Sequence, residues 1–164
     1  MKRLVYWDSD AFLRVIEDSD NPQSENQGCR DVWAACQKGT THIITSTLTV
    51  TEVLYKKGTP KLDPKFRPAL NNFFLDNFIS LKPLTREIAE MARDVVWDSN
   101  IKPKDAIHVA TCAYYRIRTL HSFDGNLVGK KTIDVNGFTI DVSRPHGEAQ
   151  TEIAYEPKPK PKSE

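Results

Sequence analysis

Short runs rich in Val, Ile and Thr alternate with stretches of helical periodicity along this 164-residue chain, and the alternation restricts the fold more than any other feature. Residues 3–8, around Leu4-Val5-Tyr6-Trp7, read as a buried strand. Ala11, Phe12, Val15 and Ile16 then mark a short helix, and a polar loop from Asp18 to Asn26 carries Pro22. Cys29, Val32, Trp33 and Cys36 form one helical stripe that Gly39 stops. His42 to Ser46 is a second strand, and Leu48 to Tyr55 is helical, with Ser46 or Thr47 as N-cap. Residues 65–78 predict a helix with Phe66, Leu70, Phe73 and Phe74 on its apolar side, and Phe78 to Leu81 predicts a strand. Thr85 caps the next helix, with the stripe Ile88, Met91, Ala92, Val95 and Val96. Pro103 suits the first position of another, which Ala106, Val109, Ala110 and Ala113 continue. Residues 118–123 read as a strand, and Asn136-Gly137 joins residues 132–135 to 138–142 as a hairpin.

Strands separated by helices pair in parallel through right-handed crossovers, and helices cover both faces of such a sheet. The expected fold is therefore α/β: a three-layer α/β/α sandwich with a mainly parallel central sheet and a late β-hairpin. Residues 1–145 form one domain in this reading. Residues 146–164 lose all periodicity and end in Pro157-Lys-Pro-Lys-Pro-Lys, which suits neither helix nor central strand, so a flexible tail is expected.

The formal net charge is only +1, so any nucleic-acid contact must come from a local patch. No apolar stretch approaches the roughly 20 residues that span a bilayer. The apolar run after Met1-Lys2-Arg3 stops at Asp8, too short for a signal-peptide core, and a cytoplasmic location is expected. Cys29 and Cys36 would stand about 10 Å apart along one helix, too far for a disulfide. These two and Cys112 are expected to be reduced core thiols, and no Cys/His spacing resembles a zinc site.

The chemistry lies in four carboxylates. Asp8 follows the first strand, Glu52 sits in the apolar segment Thr47–Tyr55, Asp105 opens the helix after Pro103, and Asp124 follows the strand ending at Phe123. In an open α/β sheet these places converge on the crevice outside the carboxyl ends of the strands. Crowded carboxylates repel one another unless a hard cation neutralises them, and Mg²⁺ or Mn²⁺ prefers oxygen ligands. Each acid alone has a plainer explanation: Asp after a strand caps a helix, Glu on a helix is solvated, and Asp in a first turn suits the helix dipole. Only the combination points to a site.

The ordered set resembles the PIN domain family, in particular the VapC-like toxin ribonucleases. The matching pieces are Leu4-Val-Tyr-Trp-Asp8-Ser-Asp10-Ala-Phe-Leu13, Ser46-Thr-Leu-Thr-Val-Thr-Glu52-Val-Leu-Tyr55, Lys104-Asp105-Ala-Ile-His108-Val-Ala-Thr111 and Leu120-His-Ser122-Phe-Asp124-Gly-Asn-Leu127. The resemblance covers roughly residues 3–145, and its most specific part is Asp-Ala-Ile-His-x-Ala. It implies an endoribonuclease dependent on Mg²⁺ or Mn²⁺, with Asp8, Glu52, Asp105 and Asp124 as catalytic metal-binding acids. Ser122 matches a small hydroxyl residue that orients a carboxylate or a water. His108 and Asp10 could stand behind the acids, although Asp10 could equally cap the following helix. The resemblance further implies a toxin with an RNA substrate, a cognate antitoxin and a homodimer, for which Phe66, Phe73, Phe74 and Phe78 offer apolar surface.

Lys102, Lys104, Lys130 and Lys131 lie near the expected crevice and could hold a phosphate backbone. Lys56-Lys57 and Arg116 with Arg118 are further basic clusters. Two competing readings are a haloacid-dehalogenase-like phosphatase, suggested by Asp8-Ser9-Asp10 but not by Phe12 after it, and a catalytically inactive PIN-like RNA-binding scaffold.

Overall fold

The structure is a computed structural model that describes residues 1–18, 22–55 and 58–147. The expected tail beyond Gly147 and the Lys56-Lys57 pair lie outside the described residues.

The elements run β1 (Arg3–Trp7), α1 (Ser9–Asp18), α2 (Gln27–Gln37), β2 (Thr41–Ser46), α3 (Thr47–Glu52), α4 (Arg67–Phe73), β3 (Ile79–Lys82), α5 (Arg86–Ser99), α6 (Pro103–Tyr114), β4 (Thr119–His121), α7 (Gly125–Val128), β5 (Thr132–Val135) and β6 (Phe138–Ser143). The six strands form one sheet in the order β3-β2-β1-β4-β6-β5. All neighbours are parallel except β5 and β6, the Asn136-Gly137 hairpin, which pairs antiparallel.

Period-two alternation in the strands divides the core into two layers. Val5, Trp7 and Ile43 face one side, where they pack with Phe12, Leu13 and Ile16 of α1 and with Cys29, Val32 and Cys36 of α2. Tyr6, Ile44 and Leu120 face the other, against Ile88, Ala92 and Val95 of α5 and Ala106, Val109 and Ala110 of α6. The three-layer α/β/α sandwich is thus observed. All three cysteines are buried and free.

Several boundaries differ from the sequence expectation. The helix expected to reach Tyr55 ends at Glu52. Its Thr- and Val-rich run has poor helix propensity, and Val53 turns into the first core layer instead. The helix expected over residues 65–78 is a 3-10 turn, Pro64–Phe66, followed by α4, because the chain must turn after Phe73 to enter β3. The strand expected over 118–123 pairs only over Thr119–His121. The expected caps hold: Ser46 Oγ accepts from the Leu48 amide and Thr85 Oγ1 from the Ile88 amide. Phe66, Phe73, Phe74 and Phe78 are partly buried against the first core layer: the Phe73 and Phe78 ring centroids each lie 4.9 Å from that of Trp33, and Phe74 lies 5.4 Å from Phe12. Among the described residues, no helix is long and apolar enough to cross a membrane.

Candidate active site

The strand order places a topological switch at β1. The chain leaves it toward β2 and β3 on one side and returns as β4 on the other. Helices that depart to opposite faces open a crevice at the carboxyl ends there, and Asp8 follows β1 while Ser122 follows β4 at that point.

Asp8 is buried, only 7% exposed. Its Oδ1 accepts from the Ala11 amide at 3.4 Å, so this carboxylate serves the first turn of α1. Burial pushes its pKa up to about 6, against the opposing pull of His108 and a hydrogen bond from Ser122, and the Asp10 charge pushes the same way as burial. Ser122 couples the two strand ends. Its hydroxyl hydrogen-bonds Asp8, and its Oγ accepts from the Asp124 amide at 3.0 Å. Asp124 caps α7, a helix the sequence reading did not anticipate, by accepting from the amides of Asn126 at 2.9 Å and Leu127 at 3.1 Å, both on Oδ1.

Asp105 enters from the first turn of α6. Its pKa is raised by burial, then by the charges of Asp124 and Glu52, with His108 and Lys102 opposing. Glu52, the last residue of α3, is held on both oxygens: Oε2 lies 2.9 Å from His108 Nε2, and Oε1 lies 3.8 Å from Lys104 Nζ. The structure therefore brings the four sequence-predicted acids to one cleft of about 340 Å³, lined also by Asp10, Thr51, Leu54, Tyr55 and Lys104. Among the described residues, no three His, Cys, Asp or Glu side chains are gathered tightly enough to form a ready-made ion site. The acids face a shared space rather than a shared point.

A neighbouring polar hollow of about 370 Å³ shares Asp105 with the cleft and is lined by Asn100, Lys102, Asn126 and Lys130. Lys102, Lys104 and Lys130 thus border the site, whereas Lys131 lines neither hollow. Arg116 and Arg118 precede β4, at the amino end of the strand and away from the crevice.

Sequence reading missed Tyr6. It stood as one apolar member of a buried run, yet its hydroxyl lies 2.7 Å from His108 Nδ1 and accepts from the Ser46 amide at 3.0 Å. The available signal was general: a Tyr inside a buried strand must find a partner for its hydroxyl. Trp7 does likewise, donating from Nε1 to His121 Nδ1 at 3.2 Å.

The family model that matches is described as PIN domain and covers residues 5–130. Comparison with curated proteins gives no match. Among solved structures, the chain is similar to Mycobacterium tuberculosis VapC20, titled a sarcin-ricin loop cleaving toxin, with a TM-score of 0.57 and 15% identity over 74% of this chain and 90% of that one. It is also similar to a chain of a toxin–antitoxin complex from Klebsiella pneumoniae, with a TM-score of 0.54 and 17% identity over 87% of this chain and 98% of that one. At these identities the likeness is one of fold.

Proposed function

The chain belongs to the PIN domain family, and on that premise we propose that it is a divalent-metal-dependent endoribonuclease and the toxin of a toxin–antitoxin pair. The observation that carries the reading is the convergence of Asp8, Glu52, Asp105 and Asp124 on one cleft at the β1–β4 switch. The two structural neighbours, one described as a cleaving toxin and one from a toxin–antitoxin complex, agree with it.

The donor set fits Mg²⁺ or Mn²⁺. It is all carboxylate oxygen, and the raised pKa values of Asp8 and Asp105 report a cleft in which negative charge is costly without a cation. A bound ion would polarise a phosphoryl oxygen and acidify a bound water. Asp8 and Asp105 hold the ion in this reading. Glu52 and Asp124 flank it, accepting the proton of the attacking water or completing the coordination. Ser122 keeps the Asp8 carboxyl aimed. Lys102 and Lys130 take a neighbouring backbone phosphate of the RNA in the hollow beside Asp105. The homodimer rests on the family resemblance, and the boundaries 1–145 of the nuclease domain rest on the loss of periodicity after Pro145.

The test is cleavage of a structured RNA by purified protein with Mn²⁺ or Mg²⁺, beside hydrolysis of a small phosphomonoester. Internal cleavage that EDTA stops, that Asp105→Asn abolishes, and that has no phosphomonoesterase counterpart is the expected result. Phosphomonoester turnover without RNA cleavage would favour the phosphatase reading. RNA binding without cleavage would favour an inactive scaffold.

A further inference from the structure

We infer that an apolar hollow on the far side of α3 is a nucleobase subsite. It takes a purine of the RNA, splayed out of the strand beside the cut, and so sets the sequence at which the protein cleaves. The inference deepens the nuclease reading and rests on it for its effect on cleavage, whereas binding tests it separately.

The hollow holds about 340 Å³, within the range of small-ligand pockets. The short helix α3 is the partition between it and the acid cleft. Thr51 and Glu52 line the cleft, Val50 and Val53 line the hollow, and Leu54, just past the helix, lines both. The polar hollow with Lys102 and Lys130 adjoins the cleft through Asp105 instead, so the two hollows meet the cleft on different walls. Opposite α3, the helix α4 and its C-terminal cap residue contribute Arg67, Leu70, Asn71 and Phe74, the i, i+3, i+4 and i+7 positions of one helix face. The Leu62 amide donates to the Leu54 carbonyl at 2.6 Å, which sets Leu62 beside Leu54 in the same wall.

The walls are apolar and the rest of the lining is basic on balance. Val50 and Leu54 are 45% and 44% exposed, so apolar surface meets solvent there. Lys61 and Arg67 bring two cations against one carboxylate, Asp63, whose Oδ1 accepts from the Lys65 amide at 2.8 Å. An apolar peptide would suit the walls and give the cations nothing to neutralise. A bare phosphate would suit the cations and leave the walls wet. A nucleotide uses both, with its base among the apolar side chains and its phosphate on the basic groups. Arg67 and Asn71, one turn apart, narrow the base to a purine. Arg is the side chain that bonds guanine O6 and N7, and Asn the one that bonds adenine N6 and N7. Phe74 adds an aromatic ring of the kind on which unstacked bases pack.

The test uses wild type, Val50→Trp, Arg67→Ala, Asn71→Ala and Lys102→Gln. Val50, Arg67 and Asn71 are exposed, so these changes spare the core, and Val50→Trp fills the hollow. Binding is measured in EDTA, where nothing is cut, to short oligouridylate strands carrying A, G, C or no replacement at one central position. In wild type, A and G should each raise affinity about tenfold over plain oligouridylate, and C should not. Val50→Trp should remove both gains, Asn71→Ala the gain from A, and Arg67→Ala the gain from G. Lys102→Gln, in the other hollow, should weaken all four strands equally. Methyl spectra should show Leu62 and Leu70 shifting with the A or G strand and not with oligouridylate. With Mn²⁺ and a randomised RNA, a purine should be enriched at one fixed position beside the cut in wild type, and Val50→Trp should level that preference.

Equal affinity for the four strands overturns the inference, as does a purine gain that survives in Val50→Trp. Shifts of Leu62 and Leu70 that track protein concentration without RNA also overturn it, because a second copy then covers the hollow. If wild type and Val50→Trp cut RNA at the same sequences, the subsite fails and the nuclease reading stands. If the purine gain appears and vanishes as expected but no RNA is cut, the nuclease reading fails and the subsite stands.

Discussion

The β1–β4 junction and the β5–β6 hairpin are neighbours in one sheet and are built on opposite principles. The hairpin is local: Asn136 and Gly137 both take positive φ, at 52° and 76°, and the strand β5 alternates exposed and buried residues. The junction is non-local and polar inside. Tyr6, His108, His121 and Ser122 are all buried there, bonded to residues about a hundred positions away, as in the Tyr6–His108 pair separated by 102. A surface strand pair needs one buried face and a good turn. A site needs polar groups carried into the interior, each with a partner. The comparison teaches that stability and chemistry are drawn from different parts of the same sheet.

The largest expected effect breaks the junction's chemistry while leaving its fold. Asp8→Asn should lower RNA cleavage by about a thousandfold, because the charge goes and the volume stays. The same change should stabilise the metal-free protein at neutral pH. The folded-state pKa of Asp8 is raised from 3.8 to about 6, so wild type loses stability as pH rises through that interval. Two pH units correspond to about 3 kcal/mol, and Asn should recover about 1–3 kcal/mol of it at pH 8 and almost none at pH 4. His121 works with the opposite sign. Burial lowers its pKa from 6.5 to about 3, so its contribution is lost as pH falls through that range. It is common to both proteins and cancels in the difference. Urea midpoints in EDTA at the two pH values check the sign.

The next effect lies where the chain leaving the hairpin meets the other helical layer. A Cβ on Gly28 of α2 would stand 1.8 Å from the Pro145 carbonyl oxygen. Gly28→Ala should therefore destabilise the fold by about 2–3 kcal/mol, read as a lower melting temperature with kcat unchanged in the folded fraction. The smallest effect belongs to the hairpin turn. Nothing stands within 4 Å of a Cβ at Gly137, so only its positive φ opposes Gly137→Ala. That should cost about 1 kcal/mol and leave Mn²⁺ binding untouched. A large loss of activity from Gly137→Ala would erase the contrast between the two regions.

The same contrast explains what the sequence made legible. The hairpin, the Ser46 and Thr85 caps and the Pro103 start are written in neighbouring residues, and each is found where expected. The four acids were legible because each sits beside such a local mark, a strand end or a helix start. Tyr6 was not, because its partners are Ser46 and His108, and nothing in Leu4-Val5-Tyr6-Trp7 names either. The Asp124 cap on α7 escaped notice because a four-residue helix, Gly125–Val128, is too short to show a period. The early end of α3 at Glu52 escaped notice because the apolar period runs on to Tyr55, whereas weak helix propensity and the burial of Val53 stop the helix sooner.

The strand order also sets a schedule. A ribosome that has delivered the chain as far as Asn100 has supplied β1, β2 and β3 and the first five helices, but neither α6 nor β4. At that stage Asp105, His108, Ser122 and Asp124 do not exist, and β1 presents an unpaired edge on the side β4 will occupy. Pairing of Tyr6 with Leu120 must wait until β4 has been made, and contacts so distant in sequence form slowly. A growing chain therefore lacks the acid cleft, and the site comes into being only when β4 slots in beside β1.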